Sequence, residues 1–387
     1  MRSATRTEPS IPVAPRYGVR SLSDVLPSVL GALGVPGCAG PLQVPAARSA
    51  CVLLLDGLGW ELLTEHAADA PHLAALAQRS EPLDAGFPAT TATNITSLTT
   101  GRPPGEHGIV GYTFAGPTGE VLNALTWRSR GGVDLRDTVP PEELQCHPTA
   151  LQRAAAAGLA VRVIGPAAVR RSGLTRAALR GAEYHGVHAL GDLTAGVLAA
   201  LEGRALCYAY LADLDVMGHS YGPGSTPWRL QLAHLDHLVA AIAGRLCPGA
   251  LLCVVADHGM ATLADPVDAD ADLRLRCGVR LIAGDVRARY VYTEPGAADD
   301  VLAAWREVLG ERAWVVSRAE AVAAGWFGPS VLPAVLPRIG DVVVAARGHH
   351  GVVQSAVEPR QTAMVGHHGS LTPADQLVPF LLSHSRR

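Results

Sequence analysis

Aromatic residues are scarce in this chain. Phe, Trp and Tyr make up 5% of its 387 residues, too few to suggest the stacked platforms that hold single-stranded bases. No block of five or six basic residues occurs, and the net charge is only −3. Nothing therefore supplies the phosphate-neutralising surface that a nucleic-acid polymer needs. The seven cysteines are scattered and none falls in C-x-x-C spacing, which counts against a zinc ribbon or a thioredoxin-like couple. Cys51, Cys207 and Cys253 sit in or beside apolar runs and read as small buried hydrophobes, a usage that suits a reducing compartment. No run of 18 apolar residues appears, so no membrane span is expected. The first twenty residues carry four Arg and three Pro without an apolar core segment, and the apolar stretch 26–35 is broken by Pro27, Gly31 and Gly34. A cleaved signal is not expected, and the chain reads as cytoplasmic.

What is present points to a folded α/β protein. Hydrophobic residues make up 48% and charged residues 17%, enough to fill a core. The length suits one large α/β domain with an insertion, or two domains. Residues 1 to about 20 read as an arm. Leu22, Val25, Leu26, Val29, Leu30 and Leu33 are spaced as one helical face. Apolar runs at 50–55, 161–164, 205–211 and 251–256 read as buried strands. Helical patterns at 150–157 and 228–245 lie between or after them. Such alternation predicts a mostly parallel sheet sandwiched by helices. Residues 280–293 read as strand material and 301–309 as helix, within an inserted cap. A strand is expected at 339–345, and a last helix at 372–382 with Thr372 as N-cap and Pro373 at its first position. The expected organisation is an N-terminal arm and helix over 1–45, a catalytic core over 46–265, a cap insertion over 266–338, and the rest of the core over 339–387.

Carboxylates and imidazoles fall at the ends of these apolar runs. Asp56 follows the run 50–55. Asp215 and His219 are four apart, on one face of a helical turn, and Gly218 permits close approach to that imidazole. Asp257 and His258 follow the run 251–256. Taken singly, each has a plain structural reading: Asp56 as a helix cap, Thr91 as a cap of the helix predicted over 92–100, each His as a hydrogen-bonded core or surface residue. Together, three Asp at or beyond strand ends, two with a nearby His, are hard to explain as caps. A parallel sheet can gather such residues at one edge. Oxygen and nitrogen donors without thiolate suit zinc, with manganese also accepted, and two such ions would clamp the attacking and leaving oxygens of an in-line displacement.

The segments Asp56-Gly, Pro88-Ala-Thr-Thr91-Ala-Thr-Asn94, Thr100-Gly-Arg-Pro-Pro-Gly-Glu-His107-Gly-Ile, Asp215-x-x-Gly-His219, Ala-Asp257-His258-Gly-Met260 and His368-Gly resemble the alkaline phosphatase superfamily, and among its branches the nucleotide pyrophosphatase/phosphodiesterases. The resemblance runs from about residue 48 to the end. It implies an alkaline-phosphatase-like fold and a hydrolase with two zinc ions. It implies Thr91 as nucleophile, forming a phospho-threonine intermediate, with the register set by Asn94 three positions later; Thr90 is the competitor. It implies one ion on Asp56, Asp257, His258 and the Thr91 oxygen, and the other on Asp215, His219 and a late histidine. His368 is preferred to His367 because Gly follows it, and His349-His350-Gly has similar form. Where the phosphodiesterase branch has a phosphate-binding Asn, this chain has Tyr112, so Tyr112 and Asn94 are the candidate substrate contacts. His107 is expected to be a structural hydrogen-bonding residue. The substrate implied is a small phosphodiester or nucleotide pyrophosphate. The alternatives are a phosphonoacetate-type C–P hydrolase or a phosphomonoesterase on the same site, and a metal-bound, inactive nucleotide-binding module.

Overall fold

The computed structural model describes residues 12–385. Ten strands carry the architecture: β1 (Ser49–Leu55), β2 (Ala160–Pro166), β3 (Glu183–Val187), β4 (Ala205–Leu211), β5 (Ala250–Val255), β6 (Val279–Asp285), β7 (Ala288–Thr293), β8 (Ala313–Ser317), β9 (Val342–Ala346) and β10 (Phe380–His384). The main sheet has the order β10-β5-β1-β4-β2-β3. Five strands run parallel, and β10 closes one edge antiparallel to β5. All seven residues of β1 are buried, as expected of a central strand covered on both faces. Leu53 of β1 pairs with Ala209 of β4 on one side and Val254 of β5 on the other. These three strands therefore end together, and the residues just beyond each of them arrive at one edge of the sheet.

The helices that matter for that edge are α1 (Val25–Ala32), α2 (Thr91–Thr100), α3 (Ala150–Ala156), α4 (Leu190–Ala200), α5 (Asp213–Tyr221), α6 (Thr226–Ala243) and α7 (Ala298–Leu309). The predicted face of α1 is real: Leu22, Val25, Leu26, Val29 and Leu30 are fully buried. Residues 1–11 of the expected arm lie outside the described residues. From Arg16 onward the chain is held in place. Arg16 bonds Asp84 through its backbone N–H and its guanidinium, and Tyr17 donates its hydroxyl to the Trp326 carbonyl.

A second sheet, β6-β7-β9-β8, is antiparallel throughout. The strand expected at 339–345 forms as β9 and pairs with β7 and β8 of this second sheet. Alternation along β9 explains this. Val342 and Val344 face a second core built around Trp305 of α7, while Val343 and Ala345 join the main core. The predicted helix over 372–382 is also corrected. Only Pro373–Gln376 is helical, and Phe380–His384 is a sheet edge. Pro379 cannot continue a helix and pushes Val378 out of the helical region, leaving the apolar run after it free to pair with β5.

A buried ion pair ties the second sheet to the segment before β10. Arg287, in the β6–β7 turn, meets Asp375 at 2.9 and 2.7 Å, and both side chains are fully buried. Thr372 and Ser370 complete the hydrogen bonding of Asp375. Removing one partner of such a pair leaves a bare buried charge, at a cost of about 3–5 kcal/mol.

Candidate metal centre and active site

Asp56 is the first residue beyond β1, Asp257 and His258 stand just beyond β5, and Asp215 lies in the first turn of α5 after β4. The helix after Asp56 starts at Trp60 with Gly59 as its N-cap, so Asp56 does not serve as that cap. Residues from three strand ends therefore meet. His258 Nε2 lies 3.4 Å from Asp56 Oδ1 and 3.5 Å from Asp257 Oδ2. His219 Nε2 lies 3.4 Å from Asp215 Oδ2, and His368 Nε2 lies 3.8 Å from Asp215 Oδ1. The His258 and His368 rings stack at 3.5 Å. Two groups have potential ligand atoms all within 4.8 Å of one another: Asp56, Asp257 and His258, and Asp215, His258 and His368. His219 stands beside Asp215 but outside both groups. A Cβ at Gly218 would fall 2.3 Å from Met260 Sδ, so glycine lets α5 approach the segment that carries the Asp257-His258 pair.

The donor set fits divalent ions. Asp56 Oδ1, Asp215 Oδ1 and Asp257 Oδ2 are buried and have no hydrogen-bond partner among the described residues. Buried acceptors are rarely left so. The three imidazoles are turned the same way. Nδ1 of His219, His258 and His368 lies 2.7, 2.9 and 2.8 Å from the carbonyls of Gly366, Gly259 and Ala89. A carbonyl can only accept, so each Nδ1 carries the proton and each Nε2 offers a lone pair, the arrangement seen around metal-ligating histidines. Burial, then Asp257 and Asp215, push the Asp56 carboxyl well above its ordinary range, with Tyr210 opposing. Burial also raises Asp215. Burial and the neighbouring histidines hold His368 neutral, well below the usual imidazole value. Such a set is costly without cations and favourable with them.

Thr91 is the first residue of α2, with Thr90 as N-cap. Its Oγ1 is 3.2 Å from His258 Nε2. The free N–H groups of the first turn of α2 point the same way and favour an anion there. Thr90 turns elsewhere, placing its hydroxyl 3.4 Å from Asp285 Oδ1. Asn94 does not reach substrate space. It is fully buried, takes the Gly86 N–H at 2.6 Å and donates back to the Gly86 carbonyl at 3.4 Å. Its amide braces the loop that leads to Thr91. His107 is structural as expected, bonded to Ser97 and to the Ile109 N–H. His367 is engaged with the Met364 carbonyl at 3.3 Å, and His349 with the Thr262 carbonyl at 3.0 Å, whereas His368 joins the carboxylates.

Two cavities meet at Thr91 and Asp215. One, of about 230 Å³, runs past His219 and His368 to Tyr112, Asp285, Glu358 and Gln361. The other, of about 270 Å³, is mostly apolar and holds Asp56, Tyr184, Tyr208 and Tyr210. Tyr112 is thus on a cavity wall. Tyr210, which donates to Asp56 at 2.5 Å, and Asp285, which burial pushes up to about 7 against the pull of Arg289, were not singled out by the sequence. Tyr210 carried a signal in its place at the end of the run 205–211; Asp285 carried none.

Comparison with solved structures places this architecture. Human ectonucleotide pyrophosphatase/phosphodiesterase 5 is 16% identical, with a TM-score of 0.65, over 86% of this chain and 87% of that one. The inactive murine form of the same protein, in complex with AMP, is 15% identical at the same TM-score and coverage. Phosphonoacetate hydrolase from Sinorhizobium meliloti 1021, in complex with phosphonoformate, is 21% identical, with a TM-score of 0.65, over 89% of this chain and 92% of that one. At these identities the likeness is one of fold, and the fold is alkaline-phosphatase-like. No curated protein sequence matches the chain. No helix among the described residues is long and apolar enough to cross a membrane. The family model for type I phosphodiesterase/nucleotide pyrophosphatase matches residues 50–371, and the chain therefore belongs to that family within the alkaline phosphatase superfamily.

Proposed function

We propose that the protein is a dinuclear zinc hydrolase of phosphodiester or nucleotide pyrophosphate bonds that works through a phospho-threonine on Thr91. The observation that carries this reading is the convergence of three unpartnered buried carboxylate oxygens with three imidazoles in one tautomer, beside a threonine at a helix N-terminus. Asp56, Asp257, His258 and the Thr91 oxygen would hold one ion, and Asp215, His219 and His368 the other; manganese suits the same donors. When bound, such ions would supply Lewis acidity to the threonine hydroxyl and to the leaving oxygen. Thr91 Oγ gives up its proton to solvent and attacks phosphorus, the ester oxygen leaves and takes a proton from solvent, and water then cleaves the phospho-threonine, restoring the hydroxyl and releasing the phosphoryl product. The first-turn N–H groups of α2 stabilise the charge that builds on the phosphoryl oxygens. Tyr112 offers a phenol on the cavity wall where a relative would use an amide. The Asp56 tether to Tyr210 fixes one carboxylate oxygen and leaves the other free to ligate.

Bis-p-nitrophenyl phosphate, p-nitrophenyl phosphate and phosphonoacetate separate the chemistries. With zinc-loaded protein, kcat/KM for the diester is expected to exceed the other two by at least about tenfold, about 1.4 kcal/mol in transition-state binding. A preference for the monoester or for carbon–phosphorus cleavage would overturn the diesterase reading. AMP binding without turnover of any of the three would make the protein a binding module.

A further inference from the structure

The cavity beside Asp215, His219 and His368 has an unusual wall. Tyr112, Asp285, Glu358 and Gln361 form it, and no arginine lines it; the chain contains no lysine at all. The nearby guanidiniums pair first with other carboxylates, although Arg289 also draws on Asp285. Arg289 and Arg130 pair with Glu358 at 2.8 and 3.3 Å, and Arg287 pairs with Asp375. Glu358 is therefore compensated from behind. Asp285 has a free acceptor. Its Oδ1 lies 3.4 Å from Thr90 Oγ1, while Oδ2 is buried with no hydrogen-bond partner among the described residues. Asp285 ends β6, and the turn after it is held through Arg287, which bonds Asp375 and the His350 carbonyl.

An unmatched buried acceptor on a ligand cavity calls for a donor. A second anion is poorly served there. Asp56, Asp215 and Asp257 already offset most of the charge of two divalent ions, and the scissile phosphodiester takes up the rest. We propose that Asp285 selects the leaving group: its free oxygen accepts from a hydroxyl or an ammonium on the leaving alcohol, and it turns away a carboxylate or a second phosphate at that position. The inference rests on the hydrolase reading above and narrows it, favouring phosphodiesters of polyols or amino alcohols over pyrophosphates and phosphonoacetate. Discrimination of this kind combines an attraction to one group with a repulsion of another.

Three esters of adenosine 5′-phosphate test it, made with 2-aminoethanol, ethylene glycol and glycolate, so that only the probing group changes. Affinities are measured by calorimetry at a pH above the value of about 7 to which Asp285 is raised, so that it is ionised, on zinc-loaded Thr91→Ala, whose loss of turnover is checked on the same esters. The expected order is ammonium tighter than hydroxyl tighter than carboxylate, with at least about tenfold between the extremes. Adding Asp285→Asn is expected to bring the extremes within about threefold, with the thermal midpoint confirming the fold. Equal affinities, a tighter carboxylate, or an order that survives Asp285→Asn would overturn the proposal. Turnover of the same esters by the unaltered enzyme reads the hydrolase assignment separately. The predicted affinity order without turnover would strike the reaction and keep the recognition, whereas turnover with equal affinities would do the reverse.

Discussion

Thr91→Ala is expected to lower kcat on a nitrophenyl diester by at least about a thousandfold, while zinc content and thermal midpoint stay near those of the unaltered protein. The reason is positional. Thr91 Oγ1 is within 3.2 Å of His258 Nε2, at the start of α2, whereas the Thr90 hydroxyl faces Asp285. Loss of Thr91 removes the proposed nucleophile, and the Tyr210 hydroxyl beside Asp56 is occupied in donating to that carboxylate. Thr90→Ala removes one long contact to Asp285 and leaves the nucleophile in place, so its effect on kcat is expected to stay within about tenfold. Kinetics and metal analysis on the two variants, side by side, decide the register. Activity retained in Thr91→Ala and lost in Thr90→Ala would move the nucleophile by one residue and with it the assignment of α2's first turn.

The second large effect concerns the protein stripped of metal. Asp56 is held well above its ordinary value of 3.8, first by burial and then by its carboxylate neighbours. Without cations, the folded state keeps a proton that the unfolded chain has already released. In that window the unfolded chain binds fewer protons, so stability falls as pH rises from the unfolded value through the folded one. His368 works the other way below its ordinary 6.5, because the folded state keeps it neutral. From pH 6.5 upward His368 no longer opposes the carboxyls, and Asp285, raised to about 7, still titrates. Chelator-treated protein is therefore expected to melt at lower temperature as pH is raised from 6.5 through 7. Zinc at a thousandfold above its dissociation constant adds about 4 kcal/mol per ion, which should lift the thermal midpoint by several degrees and flatten its pH dependence. A midpoint that rises with pH in the stripped protein, or one indifferent to zinc, would mean that the carboxylates are not the costly groups their burial makes them.

Much of this was legible in the chain. The runs that became β1, β4 and β5 could be read because strands buried on both faces have no polar alternation to blur them. The carboxylates at their ends stood out for the same reason, as charges directly after unbroken apolar stretches. Three things were not legible. The run 380–384 is apolar and short, where periodicity does not separate helix from strand, and only the vacant edge of β5 decides it. Val342–Ala346 alternates between two cores, which the sequence pattern alone does not separate. Asp285 stands at the end of an ordinary strand of the second sheet, and its place in the cavity comes with the Arg287–Asp375 pair that ties that sheet to the segment before β10. Asn94 shows the converse error: its spacing from Thr91 was meaningful, but the meaning was the shape of the loop at Gly86.

The central claim is that Asp56, Asp257 and His258, with Asp215, His219 and His368, hold two ions that the chemistry requires. Metal content of the purified protein, taken together with nitrophenyl diester hydrolysis before and after chelation, tests it most directly. The account predicts about two zinc ions per chain and a diesterase activity that chelation removes and zinc restores. A protein that takes up no metal even after reconstitution, or one whose diesterase activity survives complete chelation, would contradict it.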